Sequence, residues 1–459
     1  MNLTIVLREA ENRAKRVSRI NSIHNKRQRE IVVGSYQEIA GKVENKDAVI
    51  MSAQEVADLV QAGESAQLCE VDVVTTATRA VMSGTYAVLS FPVAGQASFL
   101  RARKAWINGV QAAVGPCPNE NLGILDLIVL GTAHSSSRPD YGGGHLFRDL
   151  VERKPVQVEV EADDGRRLGA EVGLDEMPTA RLFGSRHAFK NYSAFVNAGE
   201  EPINTIFHCR GFAPHCKEAT FSGCGQINPV KNDPLLESIG VGTRILMNGA
   251  EGFVLGTGTR SSRERPNLSA FADMHRMDAE LLGGFVTSSG PECICSLAVP
   301  IAVVSEKILA EIARPDRCIP LPVNDVNSRT VIGQADYGDV WEDVDLAVAF
   351  EPENCSGCSP CRAEEACPMR AIARDSAIGV CRSEVLCFHC GMCATVCPSG
   401  VFSCRMGAVR LKTAAGAART IPVVLRQSDR LRAIRMAEKM NEKITNGSFR
   451  ISEPVERIA

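Results

Sequence analysis

Cys355-Ser-Gly-Cys358-Ser-Pro-Cys361, completed by Cys367-Pro368, is followed by Cys387-Phe-His-Cys390-Gly-Met-Cys393, completed by Cys397-Pro398. Two-residue spacing lets three thiolates of one tight loop reach three corners of a cubane. The fourth corner needs a thiolate from farther along the chain. In two-cluster ferredoxins the fourth cysteine of each run serves the other cluster. The pattern therefore predicts two [4Fe–4S] clusters. One would sit on Cys355, Cys358, Cys361 and Cys397, the other on Cys387, Cys390, Cys393 and Cys367. Zinc sites also use Cys-x2-Cys, but in pairs of cysteines, and a repeated triple run with a trailing Cys-Pro fits them poorly. The first run carries two extra residues before Cys367, which reshapes a loop without removing a ligand. Each trailing proline turns the chain away. Cys381 and Cys404 lie outside the pattern and read as small buried side chains.

Working outward, the chain has 459 residues, enough for two or three domains. Its 18 cysteines are uneven: ten lie between Cys355 and Cys404. A secreted disulfide scaffold is small and evenly stapled, so a dense patch in a large chain reads as metal binding in a reducing cell. The net charge of −3 argues against a nucleic-acid binder. No apolar run is long enough to span a membrane, and the apolar-then-basic start is the reverse of a secretory signal. The expected compartment is the cytoplasm.

The expected fold class is a large mixed α/β N-terminal domain, a small α+β two-cluster ferredoxin-like domain and a short strand–helix tail. Residues 1–30 form a basic leader with eight Lys or Arg against three acids. The large domain spans 31–345. Ser52 and Glu55 make a capping box ahead of a helix near 53–63. Val71-Asp-Val-Val, 125–130, 155–161, 239–247 and 252–255 read as strands, and 305–312 as a helix. The ferredoxin-like domain spans 349–410. The tail, 411–459, has a strand at 422–425, then a helix capped by Ser428 or Asp429 and ended by Asn446-Gly447. That helix is expected to lie solvated on the domain.

Several phrases of the large domain are distinctive. Val71-Asp-Val-Val-Thr75-Thr76 leads to Met82-Ser83-Gly84. Arg138-Pro-Asp-Tyr141-Gly-Gly-Gly-His145, Lys190-Asn191-Tyr192, Ser222-Gly-Cys224-Gly-Gln226 and Ile239-Gly-Val-Gly-Thr-Arg244 follow. Together they resemble the homocysteine-biosynthesis domain family, which is associated with sulfur transfer to aspartate semialdehyde in methanogenic archaea. Fused to a two-cluster ferredoxin, the arrangement resembles the methanogenesis marker 16 metalloproteins. The resemblance implies an enzyme like L-aspartate semialdehyde sulfurtransferase, with a small-molecule substrate, an external electron donor and room for a protein partner. In those relatives a cysteine after the Val-Asp-Val-Val-Thr-Thr strand is the expected persulfide carrier. Ser83 stands at that position, and no cysteine stands near Asp163 and Asp164. A serine hydroxyl carries no persulfide.

Candidate chemistry is spread along the domain. His208-Cys209, His215-Cys216 and Cys224 suggest a thiol–imidazole site or buried cysteines beside loop histidines. Cys224 is the first choice for a reactive thiol, because flanking glycines would let a substrate approach it. Cys209 is the second. Tyr141-Gly-Gly-Gly-His145 reads as a flexible loop whose amides hold an anion, with His145 as acid or base, or as a plain turn. Thr75 and Thr76 are candidates to hold substrate. Arg244 and Arg260 are candidate carboxylate clamps. Gly256-Thr-Gly258-Thr-Arg260 lacks the third glycine of a dinucleotide fingerprint, which argues against nicotinamide. The leading expectation is reductive sulfur transfer to a small anionic carbonyl compound. The other is a non-catalytic electron carrier or maturation partner.

Overall fold

The computed structural model describes residues 34–115, 118–375, 379–412 and 418–458. The basic leader expected at 1–30 lies outside them. Residues 34–459 make one compact unit. It is mixed α/β and dominated by strands.

The core is a 14-stranded sheet. Its strand Val73–Val81 is buried on both faces up to its last residue. It pairs in parallel with Ile50–Ser52 and antiparallel with Gly290–Ala302, register Thr76↔Val299 and Val81↔Ile294. A strand covered on both faces reads as a near-continuous run rather than an alternation. That is why Val71-Asp-Val-Val-Thr-Thr looks like the start of a strand and not an amphipathic one. The sheet continues to Arg167–Val172 at its far edge, where Val156–Ala162 alternates buried and exposed residues as its sequence does. The helix Ala53–Gln61 starts at the Ser52–Glu55 capping box.

A closed barrel stands beside the sheet. Its strands run in the order Ala194–Val196, Ala219–Phe221, Ala418–Arg426, Ala408–Lys412, Val331–Asp336 and Pro320–Asp325. Phe221, Leu321, Tyr337, Val409 and Ile421 fill it.

The tail is built into both units of structure. Ala418–Arg426 is a barrel strand, parallel to Ala219–Phe221. Asp429 caps the helix Arg430–Thr445, accepting from the Arg432 amide. That helix packs on Val73–Val81 and Gly290–Ala302. The sequence suggests a helix with its charges in solvent, but Arg430 and Arg432 are buried. Arg430 reaches Asp316, and Arg432 reaches Asp429 and backbone carbonyls.

The cysteine module has two similar halves. The helix Arg362–Ala366 follows Cys361 and is capped at its C-terminus by Cys367. The helix Met392–Val396 carries Cys393 and is capped by Cys397. The hairpin Ile372–Asp375 with Gly379–Arg382 and the pair Ala349–Phe350 with Phe402–Ser403 complete it. Among the described residues, no helix is long and apolar enough to cross a membrane.

Candidate functional site

The last residues of Val73–Val81 and the turn after it line a cavity of about 610 Å³ between sheet and barrel. Thr78, Val81 and Ser83 form one wall. Asn191, Ser193 and Ser222 form another, with Gln427 of the tail behind. Arg186, Arg260, Arg265 and Arg329 also line it. The last three are exposed at its rim, while Arg186 is partly buried. Arg329 is held over the Phe207 ring, 4.1 Å from its centroid. Glu292 is the one acid among the described lining residues.

Glu292 sits two residues beyond Ile294, the partner of Val81 in the sheet register, and is buried. Burial lifts its carboxyl above the usual carboxylate range, while the Ser83 hydroxyl bond and Arg186 pull it partly back. Its Oε2 has no hydrogen-bond partner, and neither do Asn191 Oδ1 and Nδ2 or Asn324 Oδ1. Buried polar atoms are normally paired. Four unpaired polar atoms on cavity-lining residues, under a guanidinium rim, make a site for a polar ligand.

Of the sequence candidates, Ser83 and Arg260 line this cavity. Cys224 lies one side chain behind it, fully buried, with Thr78 Oγ1 3.6 Å from its Sγ. Burial raises its thiol pKa. Both flanking glycines are closely packed, and Gly223 also lines the cavity. A Cβ on Gly223 would stand 2.3 Å from the Tyr337 hydroxyl, and one on Gly225 2.0 Å from Asp316 Oδ1. Thr76 bonds to the Val299 carbonyl and is spent in the sheet. Arg244 pairs with Glu251, away from the cavity.

The glycine-rich Tyr141–His145 segment is not an open anion-binding loop. It opens the helix Gly143–Val151. The amides of Gly142, Gly143 and Gly144 donate to His145 Nδ1, the Ala133 carbonyl and the Gly131 carbonyl. The His145 ring stacks on Tyr141, and burial pushes its pKa down to about 4. His145 does not line the cavity. The expected thiol–imidazole cluster does not form either. Cys216 packs on the barrel core, and His215 is exposed. His208 is buried, with its pKa pushed down to about 3. Cys209 turns the other way, into the core around Cys367, Cys387 and Cys390.

That core belongs to the second cysteine run. Cys367 interacts electrostatically with Cys387, Cys390 and Cys393. Burial and the neighbouring thiols together raise the pKa of Cys390 well above the ordinary thiol value. Four thiolates this close disfavour one another in bare protein, and bound iron would neutralise them. Cys397 packs with Cys355 and Cys361 around Phe350 and Phe402, in a core that also takes Cys367 and Cys393. The Ser356 and Ser399 hydroxyls, 2.6 Å apart, tie these two loops together. Among the described residues, no three His, Cys, Asp or Glu side chains converge on a single metal ion. Eight thiols gathered in one small module are the kind of donors a pair of cubanes takes.

Val81 joins the two regions. It lines the cavity and packs in the core that holds Cys367, Cys387 and Cys390. Glu292, Arg186 and Arg329 escape a reading of the sequence, and Asn191 stands out there only within the phrase Lys190-Asn191-Tyr192. The available signal was Glu292, a lone acid in the otherwise apolar strand Gly290–Ala302.

Fold and site thus define an α/β protein with a cation-rimmed cavity beside a thiol-rich module. The chain belongs to the homocysteine biosynthesis enzyme, sulfur-incorporation family, whose model matches residues 48–451. It is 44% identical over 413 residues to an uncharacterized protein of Methanothermobacter thermautotrophicus, spanning 90% of this chain and 93% of that one. It is 39% identical to an uncharacterized protein of Methanocaldococcus jannaschii, spanning 88% of this chain and 100% of that one. It is 29% identical to an L-aspartate semialdehyde sulfurtransferase of Methanosarcina acetivorans, over 68% of this chain and 63% of that one. No solved structure matches.

Proposed function

We propose that the protein adds sulfur reductively to the carbonyl of a small anionic compound, within the methanogenesis marker 16 branch of its family. In the balanced step an aldehyde, one molecule of hydrogen sulfide, two electrons and two protons give a primary thiol and one water. The carbonyl carbon gains a bond to sulfur and one to hydrogen, and its oxygen departs in the water. The observation that carries this reading is Val81, a single side chain between the cavity and the core of the second cysteine set. When bound, two [4Fe–4S] clusters on the eight cysteines supply the electrons one at a time.

The chain's own residues do the rest. The rim arginines draw in the anion and hold it by guanidinium forks. Asn191 donates from its unpaired Nδ2 to the anion, and the unpaired Oδ1 of Asn191 and of Asn324 accept from its protonated polar atoms. Glu292, whose carboxyl burial shifts toward its protonated form, gives a proton to the carbonyl oxygen as that oxygen leaves as water. Ser83 bonds Glu292 and carries no sulfur, so sulfur arrives as free sulfide and not on the protein.

The test uses anaerobically reconstituted, reduced protein with sulfide and a panel of anionic aldehydes. Substrate-dependent reoxidation of the clusters together with thiol product is expected. No reoxidation with any aldehyde rejects the reading. A second reading, an electron carrier or maturation partner, is favoured by the lack of a thiol among the described cavity-lining residues. Stable co-purification with a partner that reoxidises the clusters without any aldehyde would select it.

A further inference from the structure

The two cysteine sets differ in surroundings. Cys387, Cys390 and Cys393 are buried, whereas Cys355, Cys358 and Cys361 are partly exposed. The second set alone shares a core with the cavity residue Val81.

Charge differs as well. Arg432, only 6% exposed, donates through its guanidinium to the carbonyls of Cys387, Glu384 and Val385. It thereby grips the backbone of the second run from the tail helix. The Arg426 amide donates to the Cys390 carbonyl at 2.9 Å, and its guanidinium, 1% exposed, is held by the carbonyls of Asp345 and Arg405. Arg79 lies over Phe388, inside the same run. Asp429 is the carboxylate paired to both Arg79 and Arg432. Three buried cations therefore stand around the second run, with one buried carboxylate bonded to two of them. Around the first run, Arg374 donates to the Cys358 carbonyl, but there both groups meet solvent, which screens them.

We infer that the two sets form a one-way electron path: the exposed set on Cys355, Cys358, Cys361 and Cys397 receives electrons from outside, and the buried set on Cys367, Cys387, Cys390 and Cys393, biased by Arg432 and Arg426, passes them to the cavity. The physical basis is that reducing a cluster adds a negative charge. Fixed positive charge in a site shielded from water favours that added electron far more than at a wetted surface. Burial by itself disfavours the added charge, so the higher potential of the buried set rests on those guanidiniums, and electrons then run downhill toward Val81 and the substrate. Arg432 is a positioning residue here. It touches the loop, not the substrate. The inference rests on the proposed cofactors but not on sulfur transfer.

The experiment is an anaerobic redox titration of reconstituted full-length protein, followed by electron paramagnetic resonance, with no substrate present. Wild type is expected to hold about eight iron atoms and to show two separable midpoint potentials. Arg432→Gln should lower the higher one by at least a tenfold change in oxidised-to-reduced ratio at fixed potential, about 59 mV for one electron. The lower one should stay in place. Arg432→Lys should recover most of the shift. Arg426→Gln gives an independent variant should Arg432→Gln fold poorly, with the same direction expected. Coincident wild-type potentials, absent iron, or movement of only the lower potential would overturn the inference. Aldehyde turnover without separated potentials would spare the proposed reaction and sink this path. Separated potentials without turnover would do the reverse.

Discussion

Asp429→Ala should be among the most damaging single substitutions in the chain. Asp429 is buried and sits 2.6 Å from Arg79 on the strand that lines the cavity. It also bonds Arg432 and caps the tail helix. Removing one partner of a buried ion pair costs about 3–5 kcal/mol, because the other charge is left unpaired. Losing the cap adds about 1 kcal/mol. The sum is about 4–6 kcal/mol. Arg79→Met should cost less, about 2 kcal/mol, because Asp429 keeps Arg432. The double variant removes one of the two stranded cations, so it should be more stable than the sum of the singles by about 1–3 kcal/mol. Anaerobic denaturant unfolding with all four proteins of the cycle measures this. Strict additivity, or an Asp429→Ala cost below about 1 kcal/mol, would show that the pair does not join helix and strand as described.

Three further outcomes follow from the site. Cys367→Ser should remove the buried cluster's signal and leave the exposed one, and Cys397→Ser the opposite, which iron content and resonance spectra would report. Glu292→Gln should lower turnover about 100-fold. In wild type, turnover should fall as pH rises through the raised Glu292 pKa, because the acid form is needed. The stability sign agrees. A carboxyl raised on folding favours the folded state at low pH, and that benefit is lost as pH rises through the folded value, so Glu292→Gln should unfold later than wild type at pH 8 and not at pH 4. Gly284→Ala would place a Cβ 2.0 Å from His145 Nδ1 and should cost about 1–3 kcal/mol of stability without altering aldehyde KM.

The parts legible in the sequence are those fixed by neighbours along the chain. The Ser52–Glu55 box and the Asp429 cap are local chemistry, and local chemistry survives translation into structure. The cavity is not local. Ser83 meets Glu292 only because Val73–Val81 pairs with Gly290–Ala302, and register across that distance leaves no mark in either segment. Tyr141–His145 misleads because three glycines suggest an open loop, yet they are required by close neighbours. A Cβ on Gly143 would stand 2.1 Å from the Leu130 carbonyl, and one on Gly144 2.6 Å from that of Gly283. The buried arginines of the tail helix read as solvent-facing because nothing nearby in sequence announces the carbonyls they reach.

The return of the chain after its cysteine module has a consequence for biogenesis. The strand Ala418–Arg426 slots between Ala219–Phe221 and Ala408–Lys412, and Gln427 behind it closes the cavity. Those residues leave the ribosome after all eight cysteines. The barrel therefore cannot shut, nor the cavity acquire its back wall, until the thiol-rich segment has been made. Pairings this far apart in sequence form late. A nascent chain consequently has a period in which its cysteines are synthesised but unenclosed, open to whatever delivers iron and sulfide. Once the last strand seats, the Arg426 amide bonds the Cys390 carbonyl and access to that loop narrows. Loading before closure would make the order of synthesis itself a checkpoint on which molecules mature.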